Sequence, residues 1–227
     1  RTMGLSHDRI RGLIKGAFLH DVGKLGIADA VLRKPGQLSN REFAVMQSHV
    51  RYGVEIVGKF EWLGDALEVV QCHHERVDGT GYPAGLKDGE IPISARIFTV
   101  VDVFDALTSR RPYKEPLSLA ETMNILAVER GKSLDPDVLE AFATLAPELH
   151  RTVSSASEPE LARALDRLLI QYFSSPSGAH GFRGPLRLNP PGPAVGATDL
   201  DYLSGAWSIE RPKRPERRSS RRPPQRF

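Results

Sequence analysis

The stretch His73-His74-Glu75-Arg76-Val77-Asp78-Gly79-Thr80-Gly81-Tyr82-Pro83 decides how the rest of the chain is read. Ahead of it, Leu63, Ala66, Leu67, Val69 and Val70 recur at helical spacing over residues 63–75, so the two histidines close an apolar helical face. Behind it, Asp78-Gly79-Thr80-Gly81-Tyr82-Pro83 is a turn whose glycines allow backbone shapes that other residues resist. The chain thus delivers adjacent imidazoles to an interior and then turns sharply.

The flanking segments repeat the pattern. Residues 8–21 carry Ile10, Leu13, Ile14, Ala17 and Phe18 on a stripe that runs into His20 and Asp21, and Gly23 and Gly26 end that helix. After the loop Arg33-Lys34-Pro35-Gly36, Ser39 and Glu42 spell a capping box, with Leu38 and Phe43 placed to staple it. The helix that follows turns Phe43, Met46, Val50 and Val54 inward, and His49 lies on the same face. Ile97-Phe98-Thr99-Val100-Val101 would also suit a buried strand, but every neighbour is helical. A helix over 94–108 puts Phe98, Val101, Asp102 and Asp105 on one face. Further helices are expected over 117–130, 136–146 and 158–173, the last carrying Leu161, Leu165, Leu168, Leu169 and Phe173. The fold class is all-α.

Composition sets the outer limits. A chain of 227 residues that is 40% hydrophobic can bury a core. No run approaches the ~18 apolar residues of a membrane span. The single cysteine, Cys72, excludes an intrachain disulfide framework and reads as a small buried hydrophobe. Residues 1–16 carry charges where a signal peptide would be apolar, so a cytoplasmic location is expected. The first residue is Arg, which suggests the downstream part of something longer. The net charge of +3 is uneven: residues 211–227 alone carry +7, leaving −4 on the preceding 210. A general nucleic-acid-binding role is therefore poorly founded. Residues 174–227 hold nine of the 17 prolines and six glycines, a density that predicts a disordered tail with a basic end. The expected division is a folded domain over 1–150, a helix over 151–173 and the tail over 174–227.

His20, Asp21, His49, His73, His74 and Asp102 each extend or interrupt an apolar helical face. Groups buried there must be paired, hydrogen-bonded or bound to metal, because leaving them unpaired costs several kcal/mol. One inward histidine is more often an ordinary hydrogen-bonded core residue; six such groups from four helices are not. They are too many for one tetrahedral zinc and suit two or more five- or six-coordinate ions such as iron, manganese or nickel. Asp21, with two oxygens to offer, is the natural bridge. His7, His150 and His180 lack such a setting and are expected to be solvated, and Asp105 to cap its helix or pair with Arg96 or Arg110. Lys24 follows His20-Asp21 by one turn, and Arg110, Arg111 and Lys114 follow Asp102. Metals beside such cations suit a phosphate ester. No Ser-His-Asp order, phosphate-binding Walker loop or dinucleotide fingerprint competes.

From about residue 9 to 148 the chain resembles the HD-GYP domain, a branch of the HD phosphohydrolase superfamily. The matching strings are His20-Asp21-Val22-Gly23-Lys24, then His49, the 73–83 stretch, Arg96-Ile97, Asp102-Val103-Phe104-Asp105-Ala106-Leu107 and Arg111-Pro112-Tyr113-Lys114. The resemblance implies an all-α fold, two or three divalent metal ions (iron or manganese), and hydrolysis of cyclic di-GMP to pGpG and/or GMP. It implies that His20, Asp21, His49, His73, His74 and Asp102 hold metal, with Asp21 bridging and Lys24 beside the reacting phosphate. Arg111 and Lys114 would bind substrate, and Tyr82 would shape the nucleotide pocket.

The resemblance also implies a helix ahead of residue 1 that supplies a further metal ligand, and often a sensor or receiver domain upstream. On that reading the present metal shell is incomplete, an apolar groove is exposed and activity is reduced. A homodimer is compatible with all of this. The alternatives are a non-hydrolysing module that binds cyclic di-GMP or docks a partner, and a hydrolase of another cyclic dinucleotide.

Overall fold

The computed structural model describes residues 2–110 and 115–174. Arg111 and Lys114, and all of the expected tail but Ser174, lie outside the described residues. Among the described residues eight α-helices follow one another: α1 (His7–Leu19), α2 (Asp29–Leu32), α3 (Asn40–Val57), α4 (Leu67–Cys72), α5 (Ile93–Thr108), α6 (Leu119–Val128), α7 (Pro136–Ser155) and α8 (Glu158–Phe173). Short 3-10 turns occupy Val22–Gly26, Glu61–Ala66 and Asp88–Glu90. Extended pairing among the described residues is limited to the isolated bridges Asp78–Lys87 and Arg130–Leu134. The all-α expectation holds, including the helix over the β-branched run of α5, where tertiary burial outweighs local propensity.

Local signals place the helix starts. Ser39 caps α3, its hydroxyl taking the Glu42 amide while the Glu42 carboxylate takes the Ser39 amide, and Lys34 pairs with the same carboxylate at 2.6 Å. Leu38 and Phe43 meet in one cluster with Ile27 and Met46, as a staple should. Ser118 with Glu121 and Ser157 with Glu160 repeat the box at α6 and α8. Asp135 caps α7 by accepting from the amides of Asp137 and Val138, with Pro136 in the first turn.

Two buried clusters sit on either side of α4 and α5. Val100, Val103, Phe104 and Leu107 of α5 meet Leu126 of α6 and Val138, Leu139, Phe142 and Ala146 of α7. On the other side, Val57, Leu63, Ala66 and Val70 join α3 to α4 and the turn ahead of it. The short α4 is central, touching α1, α3 and α5. It buries Val69, Val70 and Cys72, and its end carries His73 into the space between the neighbouring helices. Burial lifts the Cys72 thiol to about 11, with the Glu75 and Glu68 charges adding to it, so it stays a protonated, inert thiol as expected.

Four expectations need correction. Phe18, placed on the inner stripe of α1, is 63% exposed, because α1 buries Gly12 and Gly16 instead. A Cβ at Gly16 would collide with the Val69 side chain, so a ridge of small residues sets the contact face of α1. Val101 and Asp105 share a face of α5 with Phe98, but both are exposed; the core face is Val100, Val103, Phe104 and Leu107. The helix expected over 63–75 opens as the 3-10 turn Glu61–Ala66, and only Leu67–Cys72 is α-helical. Finally, α7 does not stop at 146 but runs through Pro147 to Ser155. Proline removes the donor for the Ala143 carbonyl, and Ala143 is exposed, where water can take that role.

Candidate metal centre

The site forms where the end of α1, the turn after it, the middle of α3 and the end of α4 converge. The turn Val22–Gly26 lies against α3 so closely that a Cβ at Gly23 would fall on the His49 carbonyl and the Gly53 amide. That contact fixes Asp21 and Lys24, on either side of Gly23, against His49. Gly81 does the same for the loop after His74: a Cβ there would strike the His74 carbonyl and the Glu75 and Arg76 backbone.

Asp21, His49, His73 and His74 each offer one donor atom, all within 4.8 Å of one another. His49 Nε2 and His73 Nε2 lie 3.3 Å apart, and Asp21 Oδ1 is 3.5 Å from the first and 3.9 Å from the second. His20 Nε2 is 3.2 Å from the other oxygen, Asp21 Oδ2, which also accepts from Lys24 Nζ at 2.7 Å. Asp102 stands beside this group, near enough for His20 and Asp21 to act on its charge. The structure thus gathers the six expected ligands around one place, with Asp21, His49, His73 and His74 as the tight set and His20 and Asp102 at its edge.

The backbone fixes the tautomers. Nδ1 of His20 faces the Ala17 carbonyl at 2.9 Å, Nδ1 of His49 the Met46 carbonyl at 2.8 Å, and Nδ1 of His73 the Val69 and Val70 carbonyls at 3.1 Å. A carbonyl only accepts, so each Nδ1 carries hydrogen and donates, and the neutral rings of His49 and His73 turn the lone pair of Nε2 to the site. Two such lone pairs at 3.3 Å beside a carboxylate oxygen form a donor set that repels itself unless a cation lies among them. The residues therefore fit a divalent metal ion.

Electrostatics agree. Burial, reinforced by the His20 charge, lowers His73 to about 3, and burial holds His74 well below its ordinary value. Burial also lowers His49, although its bond to the Met46 carbonyl and the Asp21 charge oppose this. All three rings are neutral at pH 7. For Asp21 burial favours the proton, but the His20 hydrogen bond and the Lys24 charge prevail and keep it a carboxylate. For His20 burial opposes charge and the Asp21 contacts outweigh it, so its pKa rises. Asp102 is pushed up to about 6 by burial, with Asp21 and Asp105 adding to the effect against His20.

Tyr82 is placed differently from a residue that faces open solvent. Its ring stacks on the His74 imidazole, centroids 4.7 Å apart and planes within 22°, and its other neighbours are Phe43, Ile27 and Met46. Its hydroxyl is buried and makes no hydrogen bond. Phe98 closes the opposite side, 4.7 Å from the His20 ring. Asp105 accepts from the Ser109 hydroxyl at 2.8 Å, while Arg96, one of its two expected ion-pair partners, pairs with Asp135. His7 packs in a tilted arrangement against Tyr172 of α8, ring centroids 4.6 Å apart, and so lies away from the site. Sequence reasoning gave Glu75 no role, yet it is 2% exposed and carries both of its oxygens inward. The signal was its place beside two buried histidines.

Comparison with known proteins follows the same lines. The HD domain family matches residues 1–138. A cyclic di-GMP phosphodiesterase of Thermotoga maritima is 44% identical over 149 residues, covering 65% of this chain and 40% of that protein. A 3'3'-cGAMP-specific phosphodiesterase of Vibrio cholerae is 45% identical over 131 residues, 56% of this chain and 25% of that protein. A cyclic di-GMP phosphodiesterase response regulator of Xanthomonas campestris pv. campestris is 45% identical over 144 residues, 62% of this chain and 38% of the relative. The chain therefore spans 40% or less of the length of each of these relatives. A crystal structure of a cyclic GMP-AMP-specific phosphodiesterase of V. cholerae superposes with a TM-score of 0.55 at 17% identity, covering 70% of this chain and 44% of that one, which supports the fold. No helix among the described residues is long and apolar enough to cross a membrane. With a match that runs from residue 1 to 138, the chain belongs to the HD domain family.

Proposed function

We propose that this chain is the hydrolytic domain of a metal-dependent phosphodiesterase that cleaves cyclic di-GMP to pGpG and/or GMP. The observation that carries the proposal is the Asp21 carboxylate, with two imidazole lone pairs at one oxygen and the Lys24 ammonium at the other. Asp21, His49, His73 and His74 would hold one ion, and His20 and Asp102 would extend the set toward a second. Iron or manganese suits this mixture of imidazole and carboxylate. Divalent ions held there supply Lewis acidity toward a phosphate ester and toward water.

The chain's own residues do the rest. Lys24 holds a positive charge one hydrogen bond from Asp21, placed to stabilise charge that develops on a phosphoryl oxygen. Tyr82 and Phe98 wall the centre with apolar surface, which strengthens each electrostatic contact inside. Arg111 and Lys114, outside the described residues, are the proposed substrate-phosphate contacts. The relative named as a response regulator supports an upstream receiver as the source of control.

The test is metal content and cyclic di-GMP turnover on the chain purified without oxygen and supplied with Mn(II) or Fe(II). At least two metals per chain with pGpG or GMP released supports the reading. In Asp21→Ala both are lost; full activity in that variant would sink the bridge. A second reading, hydrolysis of a mixed cyclic GMP-AMP dinucleotide, is favoured by the V. cholerae relatives named for that substrate. Supplying both dinucleotides at equal concentration and comparing kcat/KM decides between them.

A further inference from the structure

We infer that Glu75 is a positioning residue of the metal centre, whose buried carboxylate seats the 79–86 loop so that Tyr82 holds the His74 imidazole in its ligating orientation. This rests on the metal-centre reading above. Glu75 lies directly after His74 and is 2% exposed. Its Oε1 accepts from the Ala84 amide at 2.7 Å and its Oε2 from the Leu86 amide at 2.9 Å. Both acceptors are thus spent on one loop, nine and eleven residues ahead. That loop returns to its starting point: the Tyr82 amide donates to the His74 carbonyl at 3.2 Å, and Gly81 lies against the backbone of 74–76.

The result is a closed ring of contacts that runs from Glu75 through Ala84 and Leu86 to Tyr82 and back to His74. Tyr82 covers one face of the His74 ring at 4.7 Å, and His73 stands 4.0 Å away in the same group. A buried carboxylate that satisfies two backbone amides fixes a loop firmly, because releasing it leaves a charge and two donors without partners. Groups that orient a metal ligand in this way typically govern metal affinity by tenfold or more. Glutamine at 75 keeps the shape but turns one acceptor into a donor aimed at an amide N–H.

The experiment titrates the full chain with Co(II), following its visible absorption, in the wild type and in Glu75→Gln, Tyr82→Leu and Asp135→Asn. Glu75→Gln is expected to weaken Co(II) binding about tenfold or more and to change the absorption band. Asp135→Asn removes a cap and an ion pair with Arg96 and touches neither Glu75 nor Tyr82, so it lowers the thermal midpoint but keeps the wild-type Co(II) affinity and spectrum. Wild-type affinity and spectrum in Glu75→Gln overturn the inference, as does an equal loss in Asp135→Asn, which would reduce the effect to lost stability. Should Glu75→Gln not fold, Tyr82→Leu decides, since it leaves the carboxylate bonds and removes the ring: the same loss supports the inference and wild-type binding refutes it. A wild type that binds Co(II) yet leaves cyclic di-GMP intact would defeat the proposed reaction and leave the role of Glu75 standing.

Discussion

Replacing Gly23 by alanine adds one methyl group at the point where the Asp21–Lys24 turn meets α3. The new Cβ would overlap the His49 carbonyl and the Gly53 amide, both of them backbone, so no side-chain rotation relieves it. The turn must withdraw from α3, taking Asp21 and Lys24 away from His49 and His73. Overpacking of this kind costs about 1–3 kcal/mol, and backbone overlap places it at the upper end. At about 2–4 °C per kcal/mol for a domain of this size, the thermal midpoint falls by roughly 6–12 °C. Gly53→Ala provides the contrast. Its Cβ meets a Val70 methyl at 3.0 Å, which can give, so about 1 kcal/mol is expected. The assay is a thermal melt of each variant with and without Mn(II), together with a Mn(II) titration. Gly23→Ala should lose metal affinity about tenfold beyond Gly53→Ala. Equal affinity in the two variants would refute the claim that this contact positions Asp21.

Lys24→Met should leave metal content unchanged and lower kcat on cyclic di-GMP by about 100-fold, as loss of a charge-stabilising donor does; loss of metal would make Lys24 part of the ligand set instead. Added Mn(II) should raise the unfolding free energy by about 2.7 kcal/mol at 100 times its Kd, read as an upward shift of the melt that a chelator reverses. Asp135 supplies the pH prediction. Burial opposes its charge, but the Val138 amide and Arg96 prevail, so its folded pKa lies below the ordinary 3.8. The stability it lends is therefore full above pH 3.8 and is lost as the pH falls through the folded value. Asp135→Asn should unfold at lower urea than the wild type at pH 7, by about 1–2 kcal/mol, and the gap should close on acidification; a gap constant down to the folded value would contradict the assignment.

The site was more legible than the frame that holds it. Histidines and aspartates on apolar faces break the burial pattern, and a break of that kind is visible one segment at a time. The capping boxes at Ser39, Ser118 and Ser157 are likewise local, fixed by a spacing of three. The misread positions share a different cause. Hydropathy ranked Phe18 above Gly12 and Gly16, although glycine lets α1 come closest to its neighbours; a contact made by lacking a side chain carries no hydrophobic signal. Val101 and Asp105 lie on a true helical face, but only the tertiary arrangement tells which face of α5 meets the core. Arg96 finds Asp135 across 39 residues, a separation at which pairing depends on the whole fold. Glu75 escaped notice because its partners are backbone amides, which every residue but proline possesses.

The imidazole Nδ1 atoms of His20, His49 and His73 are bound by carbonyls three or four positions earlier in their own chain. Many metal sites assign this task to a side chain elsewhere in the fold, which must then be kept along with the ligand. Here the helical repeat itself carries the instruction, and it persists whatever side chains stand at Ala17, Met46, Val69 and Val70. The ligating tautomer can thus be inherited through wide drift of the surrounding sequence, and a helix transplanted with its histidine brings the correct nitrogen with it.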